Sequence, residues 1–121
     1  MDSPAAVLLQ LLESNSLLLR GQRVLADADV AAFYQVQTQR VERAVLQNRQ
    51  CFPTDFVWEL TPEEHVAVSR ADPRAVIKSR RRPQYFFTGA GIAMLASVLR
   101  SPRAIAVNIA LIRTLAGPRE T

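Results

Sequence analysis

The fold is decided by the stretch ADVAAFYQVQTQRVERAVLQNRQ, which occupies residues 28–50. Its opening segment, residues 28–34, places alanine, valine and aromatic side chains toward a core and predicts a short helix. Residues 35–37 form no second apolar run and predict a turn. From Thr38 to about Gln50 the helical spacing resumes, so the stretch predicts two short helices joined by a three-residue turn.

The second predicted helix has two different faces. Positions at i, i+3, i+4 and i+7 form the face predicted to be buried, and these are Val41, Ala44, Val45 and Asn48. A neighbouring face carries a polar stripe at the same spacing, made of Arg40, Arg43 and Gln47. Such a pair of helices is typical of the helix-turn-helix. Buried helical hairpins show the same pattern, so spacing alone leaves a DNA-binding role and a purely structural role open.

The sequence around this pair predicts short strands and further helices. Residues 17–25 predict two strands around a turn at Gly21, and residues 56–60 and 84–87 predict two more. Further helices are predicted after Pro62, from Thr88 to about Leu99, and from Pro102 to about Leu115. The order predicts an α+β fold with a small antiparallel sheet, the helix-turn-helix-like pair and two C-terminal helices.

Helix starts are marked by N-cap residues. The predicted N-caps are Asp27, Thr61, Thr88 and Ser101. Glu64 completes a capping box with Thr61, which explains this carboxylate without a catalytic role. The sequence Gly89-Ala90-Gly91 lacks the third glycine of a nucleotide-binding loop and predicts close helix packing instead.

Composition excludes several classes of protein. The 121 residues are 49% apolar, enough for one core, and they include a single cysteine, Cys51, and a single histidine, His65. A disulfide within the chain and a zinc site of cysteine and histidine are therefore excluded. No acid–base constellation appears, so no enzyme, metal or cofactor is expected. Neither a secretory signal nor a membrane-spanning segment is found, and we expect a cytoplasmic protein.

The net charge of +4 comes from one segment. Residues 70–82 carry six basic side chains against Asp72, which gives this segment +5 and leaves −1 for the rest of the chain. Such a segment attracts polyanions: nucleic acid, an acidic protein or an anionic membrane. A solvated charged loop is the alternative.

The chain divides into three parts. Residues 1–16 form an apolar N-terminal extension, residues 17–116 the domain and residues 117–121 a tail. The extension and the last helix carry more apolar surface than a small domain easily covers, so we expect a homodimer.

Several stretches together resemble a known family of phage proteins. They are RGQRVL at 20–25, DADVAAFY at 27–34, residues 38–48, FPTDF at 52–56, LTPEE at 60–64, YFFT at 85–88, GIAMLASVL at 91–99 and RAIAVNI at 103–109. In order and spacing the chain resembles the KilA-N-like DNA-binding domains of phage and prophage antirepressors, in the branch called ORF-six-N. The resemblance covers about residues 17–116. Its members usually have glycine after the tyrosine, where this chain has Gln35.

This resemblance implies a module that binds double-stranded DNA. We expect the polar stripe of the second helix to contact base edges through Gln39, Arg40, Arg43 and Gln47. We expect the phosphate backbone to be held by Thr38, Lys78, Arg80, Arg81 and Arg82. The alternative is a protein-interaction module whose basic segment docks an acidic partner such as a repressor.

Overall fold

The computed structural model describes residues 4–71 and 85–116. Within them the chain forms six helices and a four-stranded sheet, which confirms the predicted α+β class. The helices are α1 (Pro4–Asn15), α2 (Asp27–Tyr34), α3 (Thr38–Gln47), α4 (Pro62–Ala71), α5 (Gly89–Leu99) and α6 (Pro102–Ala116). The strands are β1 (Leu17–Leu19), β2 (Gln22–Ala26), β3 (Val57–Trp58) and β4 (Phe86–Phe87).

The sheet has the order β1-β2-β4-β3, and each neighbouring pair is antiparallel. The last strand in the chain therefore lies inside the sheet. Phe87 pairs with Leu25 on one side and with Val57 on the other. β1 and β2 are joined by a turn in which Arg20 and Gly21 both have positive φ, +51° and +78°. Two such residues are typical of the tight hairpin turn whose twist matches the strands.

The sheet separates two apolar clusters, because successive side chains of a strand point to opposite faces. Leu25 and Phe87 belong to the larger cluster, which α2, α3, α5 and α6 complete. Ala26 and Phe86 belong to the smaller cluster, which also holds Trp58 and Val68 of α4. α2 is tied to α5 by the buried Tyr34, whose hydroxyl donates to the carbonyl of Ile92 at 2.5 Å.

Three predicted N-caps are confirmed. Thr88 Oγ1 accepts a hydrogen bond from the amide of Gly91 at 3.3 Å, and Ser101 Oγ accepts one from the amide of Ala104 at 3.1 Å. Thr61 and Glu64 form the reciprocal capping box at 3.1 and 3.0 Å. These bonds satisfy amides that have no partner within their own helix.

The prediction that Asp27 caps α2 is wrong. The strand β2 continues to Ala26, which occupies the N-cap position without a side-chain bond, and Asp27 is the first helical residue. The side chain of Asp27 is buried, and its Oδ2 accepts from the amide of Tyr85 at 3.3 Å. The Asp27 amide in turn donates to the Tyr85 carbonyl at 3.0 Å. Asp27 therefore joins α2 to the segment before β4.

The second helix of the pair is shorter than predicted. α3 ends at Gln47, because Asn48 leaves the helical conformation with φ −131° and ψ 41°. The Asn48 amide side chain donates to the carbonyl of Ala44 at 2.8 Å, and a single 3₁₀ turn follows at Arg49–Cys51. A side-chain bond to the carbonyl four residues earlier competes with helix continuation.

An ion pair connects the β1–β2 turn to α4. Arg20 Nε and Nη2 donate to the two carboxylate oxygens of Glu64, each at 2.7 Å. The guanidinium also lies 4.8 Å from the centroid of the Trp58 ring. Hydrogen bonds from Arg20 and from the Thr61 amide lower the pKa of Glu64 to about 2. The charged form of Glu64 therefore stabilises the fold.

Acidification is expected to weaken this pair. The pKa of Glu64 is depressed in the folded state, so its contribution is complete above pH ~4.5 and is lost as the pH falls toward about 2. Because solvent screens the partly exposed Arg20, we expect this ion pair to contribute about 1 kcal/mol to the free energy of unfolding. Glu64→Gln should flatten the dependence of the free energy of unfolding on pH in this window, measured by urea denaturation. Glu59→Gln, which removes the exposed 3.3 Å pair with Arg49, is the control and should change this pH dependence little. Equal pH dependence in the parent and in Glu64→Gln would contradict the assignment.

Candidate functional site

One side of α3 anchors it in the core. Val41, Ala44 and Val45 are buried and Asn48 is half-buried, as the spacing predicts. This side packs against α2 and α5. The only acidic residue of α3, Glu42, is also buried, with 8% of its surface exposed. The outward side of α3 therefore carries no carboxylate.

The other side of α3 forms a polar ridge, which we define as Gln39, Arg40, Arg43 and Gln47. All four side chains are exposed. Thr38, the first residue of the helix, is half-buried, and the N-cap Gln37 makes no side-chain bond to the helix. An apolar side chain, Leu46, lies beside the ridge and is 54% exposed. The structure thus brings together all the predicted base-contacting residues on one surface.

A left-handed residue fixes the turn between α2 and α3. Gln35 has φ 59° and ψ 44°, the conformation that favours glycine. Its amide donates to the carbonyl of Ala32 at 3.1 Å, and the amide of Val36 donates to that of Ala31 at 3.0 Å. These bonds close the end of α2 and leave two residues to reach α3. The angle at Gln35 explains why glycine suits this position.

An open groove of about 550 Å³ lies beside the turn and the first part of α3. Its walls carry three amide side chains and two guanidinium groups but no carboxylate. The lining residues are Gln35, Val36, Gln37, Gln39, Arg40 and Arg43. Such a surface offers many hydrogen-bond donors and a positive potential, so it suits an anionic partner.

Arg40 differs from the rest of the ridge. Its Nη2 donates to the carbonyl of Leu99, the last residue of α5, at 2.6 Å. This bond satisfies one of the carbonyls that a helix end leaves unpaired. One of five guanidinium N–H groups is thereby used, and the side chain is fixed toward the end of α5.

The predicted phosphate contacts fall in two regions. Thr38 lies at the start of the ridge-bearing helix. Lys78, Arg80, Arg81 and Arg82 lie outside the described residues. Their contact with DNA remains a prediction from the sequence.

Two further arginines border the site and were missed by the sequence analysis. Arg100 and Arg103 flank the start of α6, next to the Leu99 carbonyl that Arg40 contacts. The signal was present as basic residues around the helix start at Ser101-Pro102. It went unused because nothing local shows that this junction lies against the α2–α3 turn.

Other chemistry finds little support among residues 4–71 and 85–116. No group of three or more histidine, cysteine, aspartate or glutamate side chains is placed to hold a metal ion there. Glu64 is engaged by Arg20 and by its own helix cap, and Cys51 is half-buried. Within the same residues no helix is long and apolar enough to cross a membrane.

Comparison with known proteins gives one match. A family model described as the ORF6N domain matches residues 14–98, from the end of α1 to the end of α5. No curated protein and no solved structure matches the chain. The matched range contains α3, the turn before it and the whole sheet.

Proposed function

Because the chain belongs to the ORF6N domain family, whose model matches more than half of its 121 residues, we propose that it is a DNA-binding module of the KilA-N-like kind. It would serve a phage or prophage antirepressor-like regulator in the cytoplasm, acting by binding and not by catalysis. The observation that carries this proposal is the ridge of α3. Four exposed donor-rich side chains lie on a helix whose opposite side is anchored in the core.

The ridge suits readout of bases in the major groove, which is wide enough to admit a helix. Arg43 would pair with guanine through two parallel hydrogen bonds, and Gln39 and Gln47 would pair with adenine in the same way. From Gln39 to Gln47 the helix rises roughly 12 Å, at 1.5 Å a residue, which matches three to four base-pair steps of about 3.4 Å. The exposed Leu46 would contact a thymine methyl group.

Phosphate contacts would supply most of the affinity. Thr38 would hold a phosphate through its hydroxyl group, and Lys78, Arg80, Arg81 and Arg82 would lie along the backbone. Four cationic contacts alone give a slope of log K against log salt near −3.6, at about −0.9 for each phosphate. This salt dependence is the first test of the proposal.

Changing Arg80, Arg81 and Arg82 together to alanine should weaken binding to every duplex alike. The slope of log K against log salt should become less steep by roughly 2.7, because three phosphate contacts no longer release counterions when the protein binds. Fluorescence anisotropy with a mixed-sequence duplex, titrated across salt concentrations, measures both quantities. If the triple variant binds this duplex as well as the parent does, the phosphate assignment is wrong.

A protein partner is the second candidate. The ridge holds two arginines and lies beside the exposed apolar Leu46, a mixture that also suits contact with an acidic protein such as a repressor. A titration with random duplex at low salt separates the two functions. Binding supports the DNA module, whereas no detectable binding favours the protein partner.

We also propose that the module forms a homodimer through α6. Ile105, Ile109 and Ile112 lie at i, i+4 and i+7 and are 49%, 45% and 57% exposed. A second copy is the fitting partner, because a two-fold pair presents two α3 helices to a palindromic site. Ile109→Glu should convert a dimer to a monomer in sedimentation, with an unchanged circular dichroism spectrum. If the parent protein sediments as a monomer at high concentration, the proposed dimer is wrong.

A further inference from the structure

The junction between α5 and α6 contacts the residues on both sides of the turn before α3, at the end of α2 and the start of α3. Arg40 Nη2 reaches the Leu99 carbonyl at 2.6 Å, and Ser101 Oγ donates to the Tyr34 carbonyl at 3.2 Å. Arg103 stands over the ring of Phe33, 5.4 Å from its centroid. Each of these three contacts joins residues at least 59 positions apart in the chain. Together they hold the junction beside the turn.

This contact brings two more arginines beside the ridge. Arg100 is exposed and directly follows Leu99, the residue whose carbonyl accepts the hydrogen bond from Arg40. The Cα atoms of Leu99 and Arg100 are therefore about 3.8 Å apart. Arg103 follows on the first turn of α6 and is half-buried. Its Nε is buried and has no hydrogen-bond partner among the described residues.

Within residues 4–71 and 85–116, the ion pairs found between described side chains join Arg20 to Glu64 and Arg49 to Glu59, and neither includes Arg100 or Arg103. Both arginines therefore add positive charge to the α5–α6 junction that Arg40 contacts. Guanidinium groups in such a cluster match the geometry of a phosphate, which accepts two parallel hydrogen bonds.

The backbone of Arg100 supplies an independent observation. Arg100 follows the last residue of α5 in the left-handed conformation, with φ 56° and ψ 21°. Glycine is the residue that this position favours, and an arginine there is strained. A residue that breaks a local rule is a candidate for a functional role.

We propose that Arg100 and Arg103 bind a backbone phosphate of duplex DNA beside the N-terminal end of α3. Arg40, for which the sequence predicts a base contact, is here the positioning residue, since its bond to Leu99 fixes the junction against the ridge. The contact sets register and affinity and reads no sequence, as elements flanking a recognition helix do. This inference rests on the proposed DNA-binding function and adds a phosphate site on described residues to those predicted at Thr38 and at residues 78–82.

Arg100→Gly is the decisive variant, because it removes the charge and the backbone strain together. We expect a melting temperature at or above that of the parent. We expect affinity for mixed-sequence duplex to fall about tenfold, with a salt slope flatter by roughly 0.9. Arg103 is less suitable for the test, since its contact with Phe33 also serves stability. Arg113→Ala is the matched control: this exposed arginine lies on α6 roughly 15 Å beyond Arg103, and its loss should leave the slope unchanged.

Anisotropy titrations of the parent and both variants separate the outcomes. A stable Arg100→Gly protein with weaker binding and a flatter slope supports the site. If Arg100→Gly binds as the parent does, this site is wrong while the proposed function stands. If Arg113→Ala is weakened equally, the effect reflects net charge and the site is also wrong. A parent that binds no duplex at low salt overturns both the site and the function.

Discussion

Gly91→Ala is expected to lower the free energy of unfolding by about 3 kcal/mol. A Cβ at this position would lie 2.0 Å from the carbonyl oxygen of Phe56 and 2.8 Å from its carbon. That oxygen accepts hydrogen bonds from the amide and hydroxyl of Thr88, at 3.1 and 3.2 Å, so it cannot move without breaking the start of α5. Both obstructing atoms are backbone, which leaves no flexible side chain to yield.

Urea denaturation of the two glycine variants checks this prediction. Gly89→Ala is the control, because no atom lies within 4 Å of the added Cβ and alanine favours a helix. We expect Gly89→Ala to equal or exceed the stability of the parent. A Gly91→Ala protein as stable as the parent would show that α5 does not approach Phe56 so closely. The position of α5 also matters for the site, because the carbonyl at its end, that of Leu99, accepts the hydrogen bond from Arg40.

Arg43→Ala is expected to relax the preference for a selected duplex over mixed-sequence DNA while leaving nonspecific binding mostly intact. A bidentate contact to guanine discriminates by about 1–3 kcal/mol, which corresponds to roughly 5-fold to 150-fold in affinity. Arg43 is exposed near the middle of the ridge, and the described residues give it no ion pair. Competition titrations with the two duplexes measure the ratio for parent and variant.

Arg43→Lys separates charge from geometry in the same experiment. Lysine keeps the positive charge but lacks the planar fork, so mixed-sequence affinity should persist while the preference falls. An unchanged preference in both Arg43 variants would show that this side chain reads no base. Weaker binding to both duplexes in Arg43→Ala that Arg43→Lys restores would assign this side chain to the phosphate backbone instead.

The parts of the fold that were predictable from sequence depend on neighbouring residues. Thr61 and Glu64 cap α4 across three residues, and Thr88 and Ser101 cap α5 and α6 over the same span. The burial of Val41 and the exposure of Arg43 likewise follow from helical spacing alone. Each of these features is decided within one or two turns of the chain.

The features that sequence missed join distant residues. Asp27 has the composition of a cap, but its partner Tyr85 is 58 positions away. The bond between Arg40 and Leu99 spans 59 positions. The sequence predicts close packing at Gly91 but not its partner, the backbone of Phe56. No local pattern encodes which surfaces meet. The phosphate contact proposed for Arg100 has no local sequence signal for the same reason.

The last helix shows how a periodic pattern can be only partly informative. Apolar residues of the last helix include Ile105, Val107, Ile109, Leu111 and Ile112. In the structure Val107 is 2% exposed and belongs to the core, whereas the three isoleucines are exposed. One helix therefore carries a buried face and a separate apolar ridge, and only the packing of α1 and α5 decides which is which.

Selection from a random duplex library tests most directly whether the α3 ridge reads DNA. The parent protein should enrich a defined motif of a few base pairs for each bound α3. A variant with Gln39, Arg43 and Gln47 all changed to alanine should enrich none while still retaining mixed duplex at low salt. A parent that enriches nothing over the starting pool, or a variant that recovers the same motif as the parent, would contradict the account.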